Sequence, residues 1–370
     1  HLFASMSLLI VANRLPIMAK KQGNSIQLDT TPGGLVSGLQ SYFSATKEQA
    51  DYRWIGWLGI PQEQLGDNPP ALDPHLVSVP LSAEQIGSFY DGFCNDTLWP
   101  LFHSFPSFVS YKKDEWNEYR KVNEIFCDEI VKIAKPDDTI WIHDYQLMLL
   151  PRLLREKLPH AKIGFFLHIP FPHFEIFRLL PQKWRTGLLQ GLLGANVIGF
   201  HTHEYTQYFL GCVTRILGYE NDMSTIRLPR HTVRVDTFPM GIDTELFTKS
   251  ATSKRVANER TKLEMLWRNV KVILSVDRLD YTKGIINRLL AFDLFLEKHP
   301  EWHEQVILNV IVVPSRTAVD RYQEMKRQID EAVGKINGKF ATVNWTPIVY
   351  QYQSLSIPAL IARYTVSNVA

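Results

Sequence analysis

Short runs of apolar, β-branched and aromatic residues recur along the chain at residues 8–11, 140–142, 163–167, 197–200, 233–235, 272–276 and 310–313. Continuous apolar runs of this length suit strands covered on both faces. The stretches between them carry helical spacing. Ser82 with Gln85 three positions on reads as a capping box, and Ile86, Phe89, Tyr90 and Phe93 follow at intervals of three and four. A longer stripe runs from Trp116 through Tyr119, Ile125, Phe126 and Ile130 to Ile133. Another runs through Tyr322, Met325, Ile329 and Val333 beside Arg321, Lys326 and Arg327. Strand alternating with helix predicts parallel α/β sheets.

The pattern restarts once. A strand leads into Phe238-Pro239-Met240-Gly241-Ile242-Asp243, a polar stretch follows over residues 248–260, and a fresh β-α-β pattern begins. This places a first Rossmann-like domain over residues 7–238 and a second over 239–370. The second offers about three strands where doubly wound sheets commonly carry five or six, so it is expected to be incomplete.

Length and composition agree with two domains: 370 residues, 45% hydrophobic, supply a large core. The 40 basic and 38 acidic residues leave a net charge of +2. That balance gives no broad field to recruit nucleic acid or an anionic membrane, so anion binding must come from a few placed cations. No apolar run is long enough to span a bilayer. Cys94, Cys127 and Cys212 lack metal-ligand or redox spacing and read as buried free thiols in a reducing cytosol. The sequons at Asn95 and Asn344 read as chance matches.

Several segments carry residue types that suit chemistry. The first strand ends in Asn13-Arg14-Leu15-Pro16, where Arg14 is either a phosphate grip beyond a parallel strand or a solvated turn arginine. Gly33-Gly34 opens a helix, either as an anion-binding turn or as a plain turn; it is neither a dinucleotide fingerprint nor a P-loop. Trp54, Trp57, Tyr90 and Trp99 offer flat rings for a sugar face, although aromatics at helical spacing more often pack. Trp99, between Asn95-Asp96-Thr97 and Pro100, is expected on a loop.

His143-Asp144-Tyr145 and Phe166-Leu167-His168-Ile169-Pro170 each follow an apolar strand, where active-site loops leave a sheet. There an Asp can accept from a sugar hydroxyl and a His can donate to one. In Asp277-Arg278-Leu279-Asp280-Tyr281-Thr282-Lys283-Gly284, a guanidinium ends a strand and an ammonium precedes a helix. These cations either stabilise a leaving diphosphate or pair with Asp277 and Asp280. Arg316, in Pro314-Ser315-Arg316, offers a further phosphate contact. Zinc-protease, paired-cysteine and nucleophile-elbow motifs do not occur, and no carboxylate pair is singled out for double displacement.

Taken in order, these motifs resemble the trehalose-6-phosphate synthase family, fungal members above all. To those above are added Trp54-Ile55-Gly56-Trp57, Leu98-Trp99-Pro100 and Ile336-Asn337-Gly338-Lys339-Phe340, and the likeness runs from about Leu8 to the last residue. The resemblance implies the GT-B glycosyltransferase fold, two Rossmann-like domains facing a cleft. It implies a cytoplasmic, metal-independent enzyme of trehalose biosynthesis that moves glucose from UDP-glucose to glucose 6-phosphate with retention.

By motif position it implies an acceptor set of Arg14, Trp57, Tyr90, Trp99 and Arg316. The donor set is Gly34, His168, Arg278 and Lys283, with Asp144 touching both sugars. Asp144, His168, Arg278 and Lys283 form the implied catalytic group. Partners would be sugar phosphates and a nucleotide sugar, with homo-oligomers or subunits of a trehalose synthase complex alongside. The family's Asp-Gly-Met-Asn-Leu-Val segment and following Glu do not appear before Ala370. A truncated chain without turnover is therefore one expectation. The rival to a synthase is a non-catalytic, synthase-like regulatory subunit.

Overall fold

A computed structural model describes residues 7–22, 25–30, 36, 39, 51–66, 70–316 and 319–370. The chain divides into two compact units, His1–Ile242 and Asp243–Ala370.

The first unit is built on a sheet whose strands are β1 (Leu8–Arg14), β4 (Tyr52–Trp57), β5 (Leu76–Ser78), β6 (Thr139–His143), β7 (Lys162–Phe166), β8 (Val197–Phe200), β9 (Asn221–Asp222), β10 (Thr225–Arg227) and β11 (Thr232–Thr237). Their order is β5-β4-β1-β6-β7-β8-β11-β10-β9. Pairing is parallel from β5 to β11, and antiparallel through the short β10 and β9. A separate antiparallel hairpin joins β2 (Ile17–Gln22) to β3 (Ser25–Thr30). The apolar runs of the sequence become β1, β6, β7, β8 and β11, with Leu9, Ile10, Val11, Ile140, Ile142, Ile198 and Val235 buried.

Helices lie against this sheet: α1 (Lys113–Ile133), α2 (Leu150–Lys157), α3 (Gln182–Leu192) and α4 (His203–Leu217). The α1 stripe buries Trp116, Tyr119, Val122, Phe126 and Ile130. The Ser82–Gln85 capping box is present, with both reciprocal bonds made. The helix that follows departs from expectation. Residues Ile86–Leu98 wind as a π-helix, and the Trp99 N–H closes onto Cys94 O five residues back. Spacings of three and four had predicted an α-helix. Packing on α1 accompanies the wider turn: the rings of Phe89 and Phe93 both meet Tyr119, with centroids 5.8 and 4.7 Å away. A second departure is β4. Trp54 and Trp57 sit on a strand, not at helical spacing. Three residues apart on a strand, they face opposite sides. Trp54 joins the core with Ile10, Ala12 and Leu58.

The second unit holds a parallel sheet of β12 (Lys271–Arg278), β13 (Val306–Val313) and β14 (Ile348–Tyr352), in that order. Helices α5 (Ile285–Lys298) and α6 (Asp320–Phe340) pack on it, burying Leu289, Leu296, Ile329 and Ile336 against Val310 and Val312.

One backbone approach ties the core to the end of β1. A Cβ on Gly56 of β4 would stand 2.7 Å from the Arg14 carbonyl carbon and 2.8 Å from the Leu15 nitrogen. These are backbone atoms, which cannot yield as a flexible side chain would. Gly56→Ala is therefore expected to lower stability by roughly 1–3 kcal/mol. The control is Gly211→Ala in α4, whose Cβ would meet nothing within 4 Å. Thermal unfolding of both variants decides the point, and an unchanged midpoint for Gly56→Ala would contradict it.

Candidate active site

The strand order of the first unit reverses at β1, with β4 and β5 on one side and β6 to β8 on the other. Open parallel sheets bind ligands beyond the carboxyl ends of their strands at such a point. Arg14 is the last residue of β1, and His143 is the last residue of β6.

Arg14 is held by rings. Its guanidinium carbon lies 4.6 Å from the Trp57 ring centroid and 5.2 Å from that of Tyr90, in the π-helix. Trp57 is fixed in turn by an indole N–H donated to Ile60 O at 2.8 Å. Trp54 donates to Arg14 O at 3.2 Å, steadying the backbone that carries the cation. Among the described residues no carboxylate pairs with Arg14, and its buried Nε finds no acceptor. Cation–π contact holds the charge without neutralising it, so the guanidinium remains available to an anion.

Trp99 corrects the sequence reading. It opens a short helix, Trp99–Phe102, and is only 7% exposed rather than lying on a loop. Its ring packs on His103 at 4.1 Å and Tyr145 at 5.7 Å. The Tyr145 hydroxyl donates to Asn95 Oδ1 at 3.0 Å, and Asn95 is itself buried.

Asp144 follows β6 with φ 75° and ψ 172°. That region is comfortable only for glycine and costs another residue on the order of 1–3 kcal/mol. The surrounding bonds hold it there. Its N–H donates to Phe166 O at 2.8 Å, and its Oδ1 accepts the His168 N–H at 3.2 Å. The carboxylate is thereby aimed beside the loop after β7.

Three successive strands, β6, β7 and β8, run into His143, His168 and His201 at the same sheet end. His143 Nδ1 and His168 Nε2 are 3.0 Å apart, so one must donate and the other accept. Burial, reinforced by the neighbouring His168, holds His143 well below the usual imidazole range. Burial, with His201 second, pushes His168 down to about 3. His201 is also lowered by burial, opposed by its bond to the His168 backbone. The set is neutral at pH 7. Sequence reasoning singled out His168 but not His143 or His201. Their shared place, one residue after or at the end of consecutive apolar runs, was the available signal.

In the second unit, β12 ends at Arg278, and a short turn carries Lys283 to Gly284, whose φ of 62° opens α5. The sequence left open whether Asp277 and Asp280 neutralise these cations. Asp277 instead accepts from Arg288 at 2.8 Å. Asp280, fully buried, accepts from Arg316 Nη1 at 2.9 Å and from the Tyr322 hydroxyl at 3.2 Å, and it also ion-pairs with Arg278 Nη2 at 3.7 Å. Burial raises the Tyr322 and Tyr281 hydroxyls, so both stay protonated. Lys283 is exposed, and its ammonium has no hydrogen bond or ion pair among the described residues; its backbone donates to Asp280 O and accepts from Arg288.

Arg316 lies in a buried ion pair with Asp280, its side chain 6% exposed and its φ 49°. Gly34 lies outside the described residues. Among the described residues no group of three or more His, Cys, Asp or Glu could hold a metal ion, and no helix is long and apolar enough to cross a membrane. The three cysteines are buried free thiols.

Known proteins are similar to this chain over nearly its whole length. A bifunctional trehalose-6-phosphate synthase/phosphatase of Thermoproteus tenax is 43% identical over 372 residues, which is 99% of this chain and 50% of that protein. An α,α-trehalose-phosphate synthase [UDP-forming] 2 of Aspergillus niger is 40% identical over 371 residues, 98% of this chain and 76% of that one. The chain thus spans half the length of the first relative and about three quarters of the second. Among solved structures, an α,α-trehalose-phosphate synthase (UDP-forming) from Burkholderia xenovorans in complex with glucose-6-phosphate superposes with a TM-score of 0.85 at 29% identity, covering 97% of this chain and 77% of that one. The fold is accordingly the GT-B glycosyltransferase type. The profile of glycosyltransferase family 20 matches residues 6–370, and the chain belongs to that family.

Proposed function

We propose that this chain transfers glucose from UDP-glucose to glucose 6-phosphate, giving α,α-trehalose 6-phosphate and UDP. The observation that carries the reading is Arg14: a cation at the strand-order reversal, gripped by Trp57 and Tyr90 and without a carboxylate among the described residues. A phosphomonoester supplies the missing anion, and the tryptophan and tyrosine faces suit the sugar attached to it. The relatives named for the UDP-forming reaction supply the donor, and the Burkholderia complex with glucose-6-phosphate supplies the acceptor.

The C1–O bond to the diphosphate breaks while a new C1–O bond forms to the acceptor's anomeric hydroxyl on the same face. The proton passes to the departing phosphate oxygen, so no enzymic nucleophile is needed. Arg278 and Lys283 offset the charge developing on that diphosphate, a role that requires no metal ion. Asp144 accepts from a sugar hydroxyl, and neutral His168 donates to one. Trp99 acts from behind, bracing Tyr145 beneath Asp144. Arg316 and Arg278 both pair with Asp280, the first at 2.9 Å and the second at 3.7 Å, so this carboxylate holds the two guanidinium groups in one cluster.

The direct test is UDP release from UDP-glucose, with and without glucose 6-phosphate; no acceptor-dependent release would refute the assignment. Arg14→Ala should raise KM for glucose 6-phosphate by roughly two orders of magnitude, the loss of a charge-assisted contact, with little change for the donor. Lys283→Ala should mainly lower kcat. Equal effects on both substrates in both variants would dissociate these cations from the roles given.

Acid stability tests the neutral imidazole. The unfolded chain protonates residue 168 near the ordinary 6.5, whereas the folded chain does so only near 3. Between those values the unfolded state binds more protons, so stability falls as pH drops, with a slope of up to about 1.4 kcal/mol per pH unit from this group. Thermal unfolding between pH 7 and pH 4 (a range of about three units) should show His168→Gln with a shallower acid slope than the parent chain. Parallel slopes would show that His168 is not buried uncharged.

A further inference from the structure

The carboxyl ends of the first unit's strands hold the residues discussed above; a different set gathers at the amino ends. A cavity of about 510 Å³ opens there, within the size range of small-molecule sites. Its walls come from α2, from the segment before β7, from the end of α3 and from the turn between β10 and β11. β7 separates it from His168 by five residues of extended chain, roughly 16 Å.

The charge of this cavity is unbalanced. Arg152, Arg155 and Arg230 line it, with Glu156 as the one carboxylate. Glu156 accepts from Arg152 Nε at 2.8 Å. Arg155 is enclosed by neutral acceptors: Gly194 O at 3.1 Å, Pro159 O at 2.9 Å, Ala161 O at 2.7 Å and Asn196 Oδ1 at 2.7 Å. These bonds fix the floor between β7 and β8, and among the described residues no carboxylate pairs with the charge. Burial accordingly lowers its proton affinity. Arg230, at the exposed tip of the turn, has no hydrogen bond or ion pair among the described residues. Beside these cations stand Leu193, Leu228, Pro229 and the ring of Tyr219.

We propose that this cavity is a second ligand site, for a small organic phosphate whose anion meets Arg230 and Arg152 while its ring lies against Leu228 and Tyr219. An entering phosphate supplies the counter-charge that the carbonyl cage around Arg155 lacks, and the apolar wall favours a phosphate carried on a ring over a bare one. The site does not depend on the activity proposed above, since none of its residues takes part in it.

Methyl NMR of the full chain tests this, with AMP, glucose 6-phosphate and inorganic phosphate as separate probes. Leu193 and Leu228 resonances should shift with AMP or with glucose 6-phosphate, and whichever binds more tightly identifies a nucleoside or a sugar as the ring. Inorganic phosphate should bind at least roughly tenfold more weakly than the better of the two, lacking the ring contact. Arg230→Glu should weaken that binding by roughly tenfold or more, while shifts of Leu15 and Leu167 at the opposite sheet end persist. Silence at Leu193 and Leu228 with both ring phosphates, equal binding of inorganic phosphate, or an Arg230→Glu protein that binds like the parent would each overturn the proposal.

Discussion

The Asp280 carboxylate, withdrawn entirely from water, accepts from Arg316 and Tyr322 and pairs with Arg278 at 3.7 Å. A buried carboxylate must be matched, and a guanidinium together with a phenol does so fully. With Asp277 likewise taken by Arg288, the acidic residues nearest in sequence to Arg278 and Lys283 are already occupied. The second unit thus gathers Arg278 and Arg316 around one buried carboxylate at the end of β12. In the first unit Arg14 is steadied by aromatic faces, and among the described residues no carboxylate pairs with it.

Much of the fold was legible because buried parallel strands read as unbroken apolar runs. All seven runs became strands, and the stripes around Trp116 and Tyr322 became α1 and α6. Strands with mixed sequences escaped. In β4, Tyr52-Arg53-Trp54-Ile55-Gly56-Trp57 has neither alternation nor a continuous apolar run, and β14 presents Tyr350-Gln351-Tyr352 half-covered. The π-helix was also beyond reach, because spacings of three and four do not distinguish a ladder closed at five residues when tertiary packing of Phe89 and Phe93 selects the wider turn.

The candidate site divides along a similar line. Arg14, Asp144, His168, Arg278 and Lys283 follow strands at their carboxyl ends, a position that sequence reveals once the strands are found. Burial and pairing are not revealed. Trp99 looked like a loop residue because polar neighbours precede it, but Asn95 and Thr97 are themselves buried and hydrogen-bonded. Arg316 looked free because its partner Asp280 lies 36 residues earlier, beyond any local pattern. His143 was named within the His143-Asp144-Tyr145 segment but given no role of its own; its nitrogen 3.0 Å from His168 appears only in three dimensions.

The backbone at Asp144 has a consequence for attempts to make this protein hardier. The chain there adopts a conformation that glycine alone finds easy. A screen that rewards heat tolerance and nothing else would favour glycine at that position, discarding the carboxylate to relieve the distortion. Robustness and the aimed acid group are opposed at a single residue, so sequences optimised for one drift away from the other unless both are selected together.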